Sequence, residues 1–218
     1  MQKRFAVIGL GRFGASVART LTEMGQRVLA VDSDPEAVGE VAAYIQRAVR
    51  ADTTDPEALK ALRIADYDTV VVALGDHVEA SVITCLNLKD LGVRQIVAKA
   101  QDDAHGRVLE RLGVDRIVYP QRDMGARVAH NISAGGLIDF IRLSENYGMA
   151  ELTTPEALVG HTLGELEMRN RFGLNVMAIK RGSRLIVSPG ADERLLDADI
   201  MVVIGEAGGI ERLQGEQR

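Results

Sequence analysis

Tryptophan is absent from the 218-residue sequence, and cysteine occurs once, at Cys85. A single thiol excludes an internal disulfide and suits a reducing cytoplasm. Cys85 stands among Val82, Leu86 and Leu88 at apolar helical spacing, which predicts a packed core position. No apolar run reaches the ~20 residues of a membrane span. Two basic residues followed by Phe5-Ala6-Val7-Ile8 and then glycine read as a strand, not an export signal. The 26 Lys and Arg are mixed along the chain with 31 Asp and Glu, giving a net charge of −5. A reader of nucleic-acid backbones needs a concentrated basic face, so nucleic acid is excluded as a partner. Catalytic patterns are missing too. There is no Tyr-x-x-x-Lys pair, no zinc-type Cys/His spacing, no Gly-x-Ser-x-Gly elbow and no P-loop lysine. The four histidines, His77, His105, His130 and His161, share no motif. His77 and His161 read as surface residues, and His130, late in a helix, suits the dipole there.

What is present is alternation. Short, continuous apolar runs occur at Phe5–Ile8, Val28–Val31, Ala48–Val49, Val70–Leu74, Ile96–Ala98 and Arg116–Tyr119. Continuous rather than alternating apolarity is expected of parallel strands covered by helices on both faces. Helical patterns lie between and after them, near 13–24, 35–46, 55–62, 77–90, 102–112 and 122–133. Asp34-Pro35 and Asp55-Pro56 are cap-then-proline starts, and Gly25, Gly92 and Gly113 stand where helices close. Six such repeats predict an α/β fold, a Rossmann-type doubly wound parallel sheet over residues 1–134. Ala134-Gly135-Gly136 then reads as a bend, and a connecting segment follows over 135–150. From 151 to 213 short strands at Asn175–Lys180, Arg184–Ser188 and Ile200–Ile204, with a helix near 163–169, predict a small α+β C-terminal module. Ser183 falls in a hairpin-like turn, and the tail Gln214–Arg218 reads as disordered.

Gly9, Gly11 and Gly14 end the first strand and open the first helix, in Gly9-Leu10-Gly11-Arg12-Phe13-Gly14. This spacing gives a tight turn, backbone approach to a diphosphate, and close helix–strand packing, with a helix N-terminus facing the phosphates. Asp32, closing the second strand, is placed to bind ribose hydroxyls and repels a 2′-phosphate, disfavouring NADP. Ser33 and Asp34 follow it, Asp34 reading more readily as a helix cap than as a ligand. Asp52, after the third strand, is placed beside an adenine or its ribose, or is a turn residue. Ala73, Leu74 and Gly75, at the end of the fourth run, are read as further nucleotide-binding residues. Lys99 closes the fifth strand, at the carboxyl edge where ligands of such sheets collect, and His105 lies close to it in sequence. Arg12 suits a terminal polyphosphate. The residues leave ATP or ADP and NAD or NADH open as ligands, in a switch or, less readily, a dehydrogenase.

Phe5-Ala6-Val7-Ile8-Gly9-Leu10-Gly11-Arg12-Phe13-Gly14 with Leu29-Ala30-Val31-Asp32 resembles the cytosolic RCK (KTN) regulatory subunits of bacterial Ktr/Trk potassium-uptake systems. The similarity continues through Val97-Ala98-Lys99-Ala100-Gln101, Leu112–Ile117, Arg122–Gly125 and the C-terminal module from Gly160-His161-Thr162-Leu163 to Ala178-Ile179-Lys180. The resemblance implies a non-enzymatic subunit, cytoplasmic and peripheral to the inner face of the membrane. It implies a homo-oligomer, dimers in an octameric ring, docked on a membrane-embedded potassium-translocating subunit and gated by ATP/ADP exchange. It places Arg12 at the terminal phosphate across a dimer interface, Asp32 on ribose, Asp52 and Thr53 beside adenine, and Lys99, Gln101 and His105 on the phosphate side. Gln121 stands where the family often has a glutamate that helps hold a divalent cation, and an uncharged amide weakens such a site. Some relatives bind cyclic di-AMP in the C-terminal module, where Glu167 replaces a relative's asparagine.

Overall fold

A computed structural model of the protein describes residues 3–133 and 137–215. The bend Ala134-Gly135-Gly136, the last three residues of the tail and the side chain of His130 lie outside the described residues. The chain divides into two units, residues 1–120 and 121–218.

The first unit is built on six parallel strands. They are β1 (Arg4–Ile8), β2 (Arg27–Asp32), β3 (Arg47–Arg50), β4 (Thr69–Val72), β5 (Ile96–Lys99) and β6 (Arg116–Val118), in the sheet order β3-β2-β1-β4-β5-β6. The intervening helices are α1 (Arg12–Glu23), α2 (Pro35–Ala42), α3 (Pro56–Ala61), α4 (Val78–Asp90) and α5 (Asp103–Arg111). Strand neighbours send alternate residues to opposite faces, which explains the unbroken apolar runs. Ala6, Ile8, Leu29, Val31, Val70 and Val72 pack on one face, with Cys85, Leu88 and Leu109 from the helices. Val7, Val28, Ala30 and Val71 pack on the other. Asp34 and Asp55 cap α2 and α3 through the N–H groups of Glu36 and Glu57, at 2.9 Å each. Helix α2 stops at Ala42, four residues short of the predicted end, because Ile45 turns into the core at 3% exposure.

The second unit begins with α6 (Pro120–Ser133) and continues in an antiparallel sheet. Its strands are β7 (Leu137–Arg142), β8 (Tyr147–Thr153), β9 (Leu174–Arg181), β10 (Arg184–Val187) and β11 (Ile200–Glu206), ordered β10-β9-β11-β8-β7. The segment read from sequence as a connector, 135–150, therefore contributes β7 and the start of β8. Phe140 lies across Gly148, where a Cβ would stand 2.5 Å from its ring, so a hairpin forms in place of a linker. The single helix predicted near 163–169 is two short ones, α7 (Leu163–Leu166) and α8 (Met168–Phe172), broken at Glu167 with φ 44°. A last helix, α9 (Ala207–Gly215), takes in Gln214 and buries Ile210 and Leu213. One ion pair staples this unit: Arg181 Nε and a terminal nitrogen hold both oxygens of Asp199, at 2.9 and 2.8 Å. These hydrogen bonds hold the buried Asp199 carboxyl below its ordinary range.

Candidate nucleotide site

The order β3-β2-β1-β4-β5-β6 reverses between β1 and β4, and open sheets take ligands at the carboxyl end of that switch point. Gly9 leaves β1 there with φ +87°, and a side chain at this residue would stand 2.9 Å from Leu74. At Gly14 a Cβ would overlap the Gly9 carbonyl oxygen, so the glycine lets α1 lie against the strand. Gly11 is different, since a Cβ there would meet nothing within 4 Å. Its space is open to a ligand.

The helix ends distinguish this place from its surroundings. Helices α2, α3 and α5 are capped by the carboxylates of Asp34, Asp55 and Asp102. Helix α1 starts at Gly11 and α4 at His77, and neither has a side-chain cap hydrogen bond. An uncapped N-terminus keeps N–H groups and partial positive charge available to an anion. Helix α1 has no acidic residue in its first turn, whereas α4 has Glu79. The α1 end suits phosphate, and the α4 end does not.

Beside the turn opens a cavity of ≈ 600 Å³, within the usual range for small-molecule sites. Its acids are Asp32, Asp52 and Glu79, and no lysine or arginine among the described residues lines it. Leu74, Val78 and Ile83 supply apolar wall. Carboxylates accept hydrogen bonds from hydroxyls and amines, so this chemistry fits a nucleoside, with phosphates directed to α1. Asp32 also organises the turn. One carboxylate oxygen accepts from the Leu10 N–H at 2.6 Å and the other from the Asp34 N–H at 2.9 Å. Asp52 accepts from the Thr54 hydroxyl at 2.7 Å and its N–H at 2.9 Å, and these bonds hold its carboxyl below the ordinary value.

The structure sorts the sequence-predicted residues into groups. Gly9, Asp32, Ser33, Asp52, Thr53 and Leu74 line the cavity. Gly11, Arg12, Phe13 and Gly14 form the uncapped start of α1, with Arg12 exposed and Phe13 half-buried. Asp34 is the α2 cap. Thr53 is buried, and its hydroxyl meets that of Thr84 at 2.9 Å, so the side chain ties the loop to α4. Ala73 follows β4 and bonds its N–H to the Ile8 carbonyl at 2.7 Å. Gly75 gives room to the Lys99 stem, whose Cδ would stand 2.8 Å from an added Cβ. Lys99 is 6% exposed, and its Nζ lies 3.5 Å from the exposed carboxylate of Asp76. Gln101 donates its N–H to His105 Nδ1 at 3.3 Å, which puts the proton of a neutral imidazole on Nε2. His105 is 3% exposed, its Nε2 has no partner among the described residues, and burial depresses its pKa. Lys99, Gln101 and His105 belong to the β5 edge and do not line the cavity. Gln121 is exposed at the start of α6. No group of three or more metal-ligating side chains occurs among the described residues, and one amide oxygen is a poor donor set for a hard cation.

His77, Glu79, Ala80 and Ile83 also line the cavity and were not singled out as ligand residues from sequence. The signal was available: they open the helix after β4, at the same carboxyl edge.

A doubly wound sheet with this turn, uncapped helix and acid-lined cavity defines a Rossmann-type nucleotide-binding protein. Residues 5–120 match the TrkA-N domain and residues 149–216 the TrkA-C domain. The Ktr system potassium uptake protein C of Bacillus subtilis (strain 168) is 45% identical over 214 residues, covering 98% of this chain and 97% of that protein. The Ktr system potassium uptake protein A of Vibrio alginolyticus is 38% identical over 203 residues, 93% of this chain and 92% of its own length. Among solved structures, the GsuK channel bound to NAD has a TM-score of 0.70 at 22% identity, over 100% of this chain and 40% of that one. That likeness establishes the fold, and this chain spans less than half of the channel. The chain belongs to the Ktr/Trk family of potassium uptake proteins.

Proposed function

We propose that this chain is the nucleotide-sensing regulatory subunit of a potassium-uptake system, switched by exchange of ATP and ADP. The observation that carries the reading is the separation of charge at the carboxyl edge, with an acid-free, uncapped helix start beside an acid-lined cavity. It fits a molecule with phosphates at one end and hydroxyls and amines at the other. Arg12, the first residue of α1, is the group assigned to the terminal phosphate. Switching requires only that the two nucleotides bind two conformations with different affinity.

The partner in this reading is a membrane-embedded potassium-translocating subunit. No helix among the described residues is long and apolar enough to cross a membrane, so translocation is assigned to that partner and this chain to the cytoplasmic face. Association into dimers is supported by an apolar stripe on α6, and the octameric ring of such dimers belongs to the same reading. Met124, Val128 and Ile132, spaced four residues apart, are 54%, 48% and 80% exposed. In the C-terminal unit, Glu167, Arg169 and Asn175 line a groove of ≈ 400 Å³, which we assign to cyclic di-AMP.

The test is a thermal-shift competition among ATP, ADP and NADH on the full chain. A ligand at 100 times its Kd adds about 2.7 kcal/mol of stability. ATP and ADP are expected to stabilise the protein, and Arg12→Ala to weaken ATP more than ADP. Stabilisation by NADH alone would replace this reading with a redox sensor. Equal losses of ATP and ADP would remove the role of Arg12.

A further inference from the structure

A cavity larger than the one at the nucleotide edge lies elsewhere in the first unit. A cleft of ≈ 850 Å³ opens at the opposite, amino edge of the same sheet, where β1, β2 and β3 begin. Each of these strands starts with an arginine: Arg4, Arg27 and Arg47. All three line the cleft, together with Arg63, Tyr44 and Tyr67, and the one acid in the lining is Asp66. Among the described residues the cleft thus gathers four arginines and one aspartate, on a chain whose net charge is −5.

The register makes the concentration of charge costly. Arg4 and Arg27 are directly paired residues of neighbouring parallel strands, and Arg47 pairs with Leu29, two residues along from Arg27. Strands lie about 4.8 Å apart, and like charges placed directly opposite destabilise a sheet. Arg63 adds a second cost. It closes α3 in the left-handed region at φ 54°, where glycine is the usual residue. Such outliers persist where the surroundings hold them and often mark sites of binding.

The side chains are also pre-arranged. Arg47 donates to the Tyr67 hydroxyl at 3.0 Å, and Tyr67 is 8% exposed, so one edge of that guanidinium is fixed by a buried phenol. Arg63 is oriented by Asp66 at 2.9 Å, with its side chain still 80% exposed. Tyr44 is held under the Arg19 guanidinium, 4.4 Å from the ring centre. Arginine forks carry five donors each and match phosphate oxygens two at a time.

We infer that the amino-edge cleft is a second anion site, taking a small molecule that bears two or more phosphate groups. It is separate from the nucleotide site by the length of β1, about 13 Å of strand from Arg4 to Ile8, and does not depend on that site's assignment.

The experiment is hydrogen–deuterium exchange on the full chain, with pyrophosphate as the probe and sulfate as the single-anion control. Pyrophosphate is expected to slow exchange at residues 25–28 and 44–48, more than sulfate at equal concentration. In Arg27→Gln/Arg47→Gln the apparent affinity read at those residues should fall about tenfold or more. Arg27→Lys/Arg47→Lys, which keeps charge without the fork, should recover part of it, and guards against a folding defect in the first variant. Protection confined to residues 9–15, equal protection by sulfate, or undiminished edge protection in the glutamine pair would each overturn the inference.

Discussion

The two edges of the parallel sheet handle charge in opposite ways. At the carboxyl edge a backbone element, the uncapped N-terminus of α1, supplies positive charge beside Arg12 and is reached through glycines whose missing side chains leave the space. The carboxylates there, Asp32 and Asp52, are satisfied by backbone and hydroxyl donors before any ligand arrives. At the amino edge the positive element is side chain, with three strands each opening on an exposed arginine. A backbone site is stiff and shape-selective, because glycine geometry admits one approach. A guanidinium site is adaptable and selects by charge. One edge thereby adds backbone geometry to charge, and the other relies on side-chain charge.

Breaking the geometric edge has the largest expected effect. Gly14→Ala drives a methyl group into the Gly9 carbonyl oxygen, and the clash is backbone on both sides. Loss of about 3 kcal/mol of stability is expected, read by urea unfolding, together with loss of nucleotide-induced stabilisation. A variant as stable as the parent would show that α1 does not lie against β1 as described.

The capped and uncapped helices sharpen the same comparison at a smaller scale. Asp34→Ala removes the α2 cap and should cost about 1 kcal/mol. Gly11→Ser supplies α1 with a cap and should raise stability by roughly a few tenths of a kcal/mol while abolishing the ATP shift. Unfolding midpoints with and without ATP separate the two effects. A Gly11→Ser protein that still binds ATP normally would remove the phosphate from this helix end.

How far these features were legible in the sequence follows the same division. The succession of strands and helices, the glycine turn, Asp32 and the Asp-Pro caps are local patterns, and they were readable because their physics lies within a few residues. The second sheet was harder. Strand β7 pairs with β8 through the contact of Phe140 with Gly148, and spacing along the chain did not reveal it. The inward turn of Thr53 toward Thr84 joins residues 31 apart in sequence, so a residue read as flanking a ligand is in part a core tie. The arginine edge was the least visible. Arg4, Arg27 and Arg47 are about twenty residues apart and vanish into a mixed composition until the sheet aligns them.

His105 tests the boundary between the cavity and the β5 edge through pH. Burial lowers its pKa from the ordinary 6.5, so the folded protein binds fewer protons at this site than the unfolded chain. The associated stability is fully present above 6.5 and is lost as pH falls from there toward the depressed folded value. The urea midpoint of the parent should therefore decline on acidification through this range, and that of His105→Gln should decline less. A parallel decline would assign the acid sensitivity to other groups.

The smallest effect belongs to the amino edge. Arg4→Gln removes one member of the directly opposed Arg4–Arg27 pair while the Arg4 backbone N–H keeps its 2.8 Å bond to Asp68. Relief of like-charge repulsion should stabilise the ligand-free protein by roughly a few tenths of a kcal/mol at low salt. The screening length falls from about 30 Å at 0.01 M salt to about 3 Å at 1 M, so the advantage of the variant should shrink as sodium chloride is added. Pyrophosphate should reverse the order, because the parent gains a bound anion that the variant holds less well. Thermal midpoints of the two proteins across a salt series, with and without pyrophosphate, decide it. If the parent is the more stable at low salt without pyrophosphate, the opposed arginines are neutralised within the protein, and the two edges do not differ in the way described.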